Sequence, residues 1–276
     1  MLTLINGAPE SRISVRDRGF LYGDGAFESL AIHGGHLVLL VPHLERLQKA
    51  CTLLRIPFDK ALLLSDIETL LRSDISDGVC KIMLTRGEGG RGYKADVEAL
   101  PTRVVQYFEP SLAMTSEHGI AVGVSQHRLG LSAELAGIKH LNRLDQVMAS
   151  FDLSPEAFEA ICLDQQGRVI EGTRSNIIAV KDGVVVTPKL DSSGVRGIML
   201  DALVAKFANI GKPVEFVELS LDDIRSAAEL MFCNSVFGVW PVIKLLEGAS
   251  VTQWAIGDIS RQAIAFQHEL FRSHIE

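Results

Sequence analysis

The short extended runs of this chain come in pairs around tight turns and never alternate regularly with helices, and this constrains its fold most. Asn6-Gly7 and Asp182-Gly183 each stand between two apolar runs, and Gly34-Gly35 turns another run back on itself. Such dipeptides favour β-hairpins. Strands are expected at 2–5, 29–32, 37–41, 79–85 and 103–108, then at 120–125, 160–164, 168–170, 176–180, 184–187, 214–218 and 229–234. Helices are expected from Pro42, with Leu44, Leu47, Cys51 and Leu54 as its stripe, and over 60–73, 194–209, 221–226 and 256–273. One more follows Lys139, where Leu141, Leu144, Val147, Met148 and Phe151 recur at helical spacing and define an apolar face. This mixed order predicts two α+β domains. Residues 109–117 carry Pro110, small polar residues and no period, and the boundary is placed there: a domain over 1–110, a linker over 111–118 and a second domain over 119–276.

With 276 residues, 47% hydrophobic and 22% charged, the chain can fill two cores. A net charge of -7 argues against nucleic acid or an anionic membrane as partner, while leaving room for a local basic pocket and a small anionic substrate. Cys51, Cys80, Cys162 and Cys233 are scattered in apolar contexts with no C-x-x-C pair, as expected of packed free thiols in a reducing compartment. The histidines have no metal-ligand spacing, so no metal site is expected. No segment reaches membrane-spanning length and the N-terminus lacks the marks of a signal peptide, so a soluble, cytoplasmic protein is expected.

Four features bear on chemistry. Lys139 lies between the small-residue turn Ala136-Gly137 and the apolar stripe. A half-buried ammonium either pairs or loses its proton easily, and the second behaviour is what Schiff-base chemistry needs. A plain surface lysine before a helix fits the same stretch. Glu171 ends a strand, where it is either a solvated carboxylate or the partner of a protonated pyridine nitrogen. Arg46, at the margin of its helix's stripe, is either a surface residue or a bidentate phosphate holder. The run Gly194-Val-Arg-Gly-Ile-Met199 enters a helix and offers exposed N–H groups to an anion. By contrast, Gly87-Glu-Gly-Gly-Arg-Gly92 satisfies G-x-G-x-x-G only in letters, because no helix pattern follows it. It is instead either a flexible hairpin loop or a mobile loop over a site, and its arginines and Tyr93 among four glycines favour the site, since arginine forks suit carboxylates.

Together these parts, with Leu4-Ile-Asn-Gly7, Phe20 to Phe27 with its Gly-Asp-Gly, His43-Leu-Glu-Arg-Leu47, Arg86 to Tyr93, the run from Leu135 to Leu144, Ser175-Asn176 and Cys233-Asn234, resemble the branched-chain-aminotransferase-like, fold-type IV pyridoxal-phosphate enzymes. Within that group the stretches 86–93 and 135–144 are similar to the aminodeoxychorismate lyases. The resemblance implies an N-terminal α/β sandwich-like domain and a C-terminal pseudo-barrel domain, pyridoxal 5'-phosphate as cofactor, and a homodimer. It implies that Lys139 is the cofactor-bearing lysine and acid–base, that Glu171 faces the pyridine nitrogen, and that Arg46 holds the phosphate. Ser175, Asn176, Gly197, Ile198, Asn234 and Ser235 would complete the cofactor site, with Phe27, Arg91 and Tyr93 near the substrate. The implied reaction converts 4-amino-4-deoxychorismate to 4-aminobenzoate and pyruvate, a step toward folate. A D-amino-acid or branched-chain aminotransferase of the same fold is the alternative, and a non-enzymatic binding scaffold is a third reading. Gly172 and Arg174 depart from the pattern between Glu171 and Ser175, and Leu200 stands where the resemblance leads to an arginine.

Overall fold

The structure is a computed structural model that describes all residues except 1, 74, 97, 98, 111–117, 152 and 273–276. The chain divides into two compact units. The first comprises Met1–Leu112, Ile138–Asn142 and Phe271–Glu276, and the second Ala113–Gly137 and Arg143–Leu270. The expected linker lies, apart from His118, outside the described residues. The expected second domain loses two stretches to the first unit, Ile138–Asn142 around Lys139 and the residues from Phe271 on.

In the first unit, β1 (Thr3–Ile5), β2 (Ala8–Pro9), β3 (Gly25–His33), β4 (His36–Leu37), β5 (Gly78–Thr85) and β6 (Thr102–Phe108) form one sheet in the order β2-β1-β6-β5-β3-β4. The hairpin signals work locally: Asn6 and Gly7 both have positive φ, and β1 pairs antiparallel with β2. One face of the sheet, with Leu30, Ile32, Cys80, Ile82, Leu84 and Val105, packs on the stripes of α2 (Leu40–Leu54) and α3 (Lys60–Leu71). The strand expected at 37–41 shrinks to two residues. Leu39 turns left-handed (φ 56°) and α2 starts at Leu40, so Pro42 falls in the first turn, where its missing N–H costs nothing. A short helix, α1 (Arg18–Tyr22), precedes β3 and is capped by the Asp17 carboxylate, which accepts from the Gly19 N–H.

The second unit holds β7 (Ile120–Leu129), α4 (Leu144–Phe151), β8 (Glu159–Asp164), β9 (Val169–Gly172), β10 (Asn176–Lys181), β11 (Val184–Pro188), α5 (Ile198–Asn209), β12 (Val214–Val217), α6 (Leu221–Ser226), β13 (Glu229–Asn234), β14 (Gly238–Glu247), β15 (Ser250–Gln253) and α7 (Asp258–Arg272). Its sheet runs β12-β11-β10-β13-β14-β7-β8-β9, with β15 paired to β14. The two ends of that path meet: the Val169 N–H of β9 donates to Leu219 O, two residues beyond β12, at 2.7 Å. The sheet therefore curls back on itself around Ile161, Ile177, Phe232 and Trp240, which gives the expected pseudo-barrel its physical basis. Among the described residues no helix is long and apolar enough to cross a membrane. All four cysteines are free and buried, and burial pushes the Cys51, Cys80 and Cys233 thiols up to about 12.

The helix after Lys139 differs most from expectation. α4 begins only at Leu144, and its apolar stripe faces outward: Leu144 is 76%, Val147 46%, Met148 46% and Phe151 73% exposed. The helix instead buries Ala149. Periodicity identifies the residues that share a face, but it does not say what covers that face.

Candidate active site

Lys139 is placed by strand pairing and not by a helix entry. The Phe27 N–H donates to Lys139 O at 2.9 Å, the Leu141 N–H donates to Gly25 O at 2.9 Å, and Ala26 bridges antiparallel to His140. Residues 139–141 thus lie alongside the start of β3. This puts the half-buried Lys139 Nζ 4.5 Å from the centre of the Phe27 ring, a cation–π contact.

Arg46 stands in the same unit. Its Nε and Nη2 donate to the two oxygens of Glu28, at 2.8 and 2.5 Å, and His43 Nδ1 lies 2.6 Å from Glu28 Oε2. Burial alone would push Glu28 up, but the Arg46 charge and hydrogen bonds, followed by those of His43, hold its carboxyl below the usual range. Burial pulls His43 down against the opposing pull of Glu28, and the charges of Arg46 and Lys139 add to the downward shift. Neither Glu28 nor His43 stands out in the sequence by its chemistry. The available signal was the three-residue spacing of His43 and Arg46, which puts both on one side of α2.

The glycine loop is moored. Arg18, 3% exposed, donates from Nη1 to Gly92 O and from Nη2 to Tyr93 O, both at 3.0 Å, and from Nε to Asp24 at 2.9 Å. Arg86 grips the same Asp24 and the carbonyls of Leu54 and Arg55. Arg91 is exposed, and Tyr93 is exposed with its ring edge-on to Tyr22. The loop is therefore tied at its base, and its Arg91 and Tyr93 side chains point to solvent in the isolated chain.

The second unit holds Glu171, Ser175, Asn176, Gly197, Ile198, Asn234 and Ser235. Glu171 is 4% exposed on β9 and is not a solvated strand end. Its Oε2 accepts from the Val195 N–H at 2.7 Å, and its Oε1 from Gln146 Nε2 at 3.2 Å. The Arg143 charge also acts on Glu171.

Beyond Glu171 the chain turns around Glu159. That fully buried carboxylate accepts from the Thr173 and Arg174 N–H groups and from the hydroxyls of Thr173 and Ser175. Ser175 is therefore committed to the turn. Asn176 donates from Nδ2 to Val195 O at 2.8 Å, and its Oδ1 presses on Gly197 so closely that a Cβ there would sit 1.9 Å away. Gly197 caps α5 with no side-chain bond, so the helix begins at Ile198 with first-turn N–H groups that have no acceptor within the helix. The Asn234 side chain is used in its own turn, accepting from the Val236 and Phe237 N–H groups and donating to Arg174 O. Ser235 is buried beside it.

These side chains fit pyridoxal phosphate by donor chemistry. Lys139 is an amine seated on an aromatic ring. Arg46 and the open first turn of α5 suit a phosphate dianion. Glu171 is a buried carboxylate, the kind of group that pairs with a protonated ring nitrogen.

This fold and residue set define a class, and comparison with known proteins agrees: the chain belongs to the amino-transferase class IV family, whose model matches residues 25–245. It is 35% identical over 262 residues to the aminodeoxychorismate lyase of Vibrio harveyi, covering 94% of this chain and 96% of that protein. The crystal structure of 4-amino-4-deoxychorismate lyase from Pseudomonas aeruginosa superimposes with a TM-score of 0.90 at 37% identity, covering 99% of this chain and 98% of the other. A putative branched-chain-amino-acid aminotransferase of Methanocaldococcus jannaschii is 31% identical over 92% of this chain and 89% of its own length.

Proposed function

We propose that this chain is a pyridoxal-phosphate-dependent lyase that converts 4-amino-4-deoxychorismate to 4-aminobenzoate and pyruvate, a step toward folate. The observation that carries the reading is the near full-length likeness to two lyases, one of them solved. When bound, pyridoxal phosphate supplies an aldehyde that condenses with amines and a protonated ring that takes up the electron pair released next to the amine. Lys139 Nζ would hold the cofactor and give way to the substrate amine. It would then remove the proton from the amine-bearing ring carbon and deliver a proton to the departing enolpyruvyl group as its C–O bond breaks, leaving an aromatic product and pyruvate. Arg46, the Gly197-Ile198 entry of α5 and Ser235 each contribute to holding the phosphate. Glu171 keeps the ring nitrogen protonated, oriented by Val195 N–H and Gln146. Ser175 and Asn176 act through the turn that carries Glu171 toward α5. Phe27, Arg91 and Tyr93 contact the substrate.

A second copy of the chain covers the outward stripe of α4, giving a homodimer, because a contiguous apolar face of this kind marks an interaction surface. The buried free thiols are consistent with the reducing cytoplasm.

The direct experiment supplies 4-amino-4-deoxychorismate and measures pyruvate and 4-aminobenzoate together; formation of neither refutes the reading. The aminotransferase alternative rests on the branched-chain relative. It requires that an amino acid alone convert the cofactor stably to its amine form, and the lyase reading expects no such conversion.

A further inference from the structure

Strand β3 and helix α2 bring three ionisable side chains to one buried point. Glu28 is 1% and His43 0% exposed, and the Arg46 side chain is 11% exposed. Three donors meet the Glu28 carboxylate: Arg46 Nε on one oxygen, and Arg46 Nη2 and His43 Nδ1 on the other. His43 Nε2 is buried with no hydrogen-bond partner among the described residues, so the hydrogen bond to Glu28 is the one polar contact seen for this imidazole. The cluster adjoins the proposed chemistry, because His43 feels the charge of Lys139 as well as that of Arg46.

Stability does not explain the arrangement. A carboxylate–guanidinium pair this deep is often no better than apolar residues of equal volume. Geometry explains it. An arginine has a long, mobile stem, but one whose fork is fixed on an immobile carboxylate has a single orientation. His43 occupies Glu28 from a second side, so the carboxylate cannot swing to follow the guanidinium. Burial keeps the imidazole neutral, so it orients Glu28 without adding a second cation.

We propose that Glu28 and His43 are positioning residues for Arg46, a carboxylate–imidazole pair that presets the guanidinium so that the cofactor phosphate meets a fixed donor. This rests on the reading of Arg46 as phosphate holder given above.

The test separates phosphate recognition from folding by using two probes on the apoenzyme: pyridoxal phosphate, and pyridoxal, which lacks the phosphate. Dissociation constants are read from the absorbance of the bound chromophore, and apoenzyme melting is recorded alongside. Glu28→Gln is expected to weaken pyridoxal phosphate about tenfold, in the range seen when outer partners of a ligating group are removed. His43→Asn, which leaves the Glu28–Arg46 fork in place, is expected to weaken it a few-fold. Neither should change pyridoxal binding. Equal loss of both probes, or pyridoxal phosphate bound by Glu28→Gln as tightly as by the wild type or tighter, overturns the proposal; the tighter case would mean that Glu28 only offsets charge. Arg46→Gln, which removes the charge, separates the two levels. If it abolishes the preference for pyridoxal phosphate while Glu28→Gln and His43→Asn keep it, the phosphate reading stands and the proposal falls. If Arg46→Gln keeps the preference undiminished, both fall. Should Glu28→Gln fail to fold, His43→Asn decides.

Discussion

The two groups of residues proposed to hold the cofactor are made of different materials. Around Lys139 and Arg46 the contacts are side chain to side chain: a guanidinium fork on Glu28, an imidazole behind it, an ammonium on a phenyl ring. Around Glu171 they run largely through the main chain: the Val195 N–H on the carboxylate, Asn176 on Val195 O, and a helix entry opened by a glycine that tolerates no Cβ. The first group is specified by what a few residues carry, the second by where the backbone goes. One substitution can therefore remove chemistry from the first, whereas the second fails by displacement.

The largest effect should come from the first group. Lys139→Ala is expected to lower pyruvate formation by more than about 10³-fold, since it removes both the proton-transfer group and the covalent anchor. Lys139→Arg should not restore it, and borohydride should no longer fix the cofactor to the chain. Substantial turnover by Lys139→Ala would end the assignment. In the second group, Gly197→Ala forces a Cβ against Asn176 Oδ1 and should cost about 1–3 kcal/mol in urea unfolding. Adding Asn176→Ala should recover part of that loss, because contacting sites are not additive. Simple additivity would show that the close approach is not the cause.

A smaller effect concerns pH. The folded pKa of His43 lies below its ordinary value of 6.5, so on acidification the unfolded chain binds that proton first. The His43 contribution is whole above pH 6.5 and declines as pH falls toward the lowered value, by at most about 1.4 kcal/mol per pH unit. Glu28, held below its ordinary 4.5, enters only at lower pH. Denaturant unfolding at pH 7 and pH 5 should therefore show a loss that shrinks in His43→Asn, and an unchanged loss would exclude His43 as its source. The smallest change in chain stability, within about 0.5 kcal/mol, is expected for Leu144→Lys with Phe151→Lys, because both sites are exposed. The same pair should halve the mass seen in sedimentation, and an unaltered dimer would place the interface elsewhere.

Elements whose cause is local were readable from residues alone. The 79–85 and 103–108 runs do form neighbouring strands, α6 spans the expected residues, and the turn at Asp182-Gly183 joins β10 to β11. Elements whose cause is distant were not. β14 contains Pro241 and begins at a glycine, and it is a strand because β13 and β7 flank it. The residues around Lys139 suggest a helix entry, yet β3, more than a hundred residues earlier, sets its backbone. Lys139, Arg46 and Glu171 were singled out by their chemistry, but Glu28 and Gln146 carry no distinctive motif and emerge only from contacts. Asn234 shows the opposite limit, since its place in a motif says nothing of the turn that consumes its side chain.

The hydrogen bond from the Phe27 N–H to Lys139 O has a consequence in time. A lysine that anchors, releases and recaptures a ligand in each cycle must reorient its ammonium, and side-chain rotation takes picoseconds to nanoseconds. Strand pairing in a packed core opens far more rarely, often only when the surrounding region unfolds. Lys139 therefore joins a fast end to a slow one. Its amine can leave and return many times while its Cα stays in register with β3, so recapture is a search over a few rotamers and not over loop conformations.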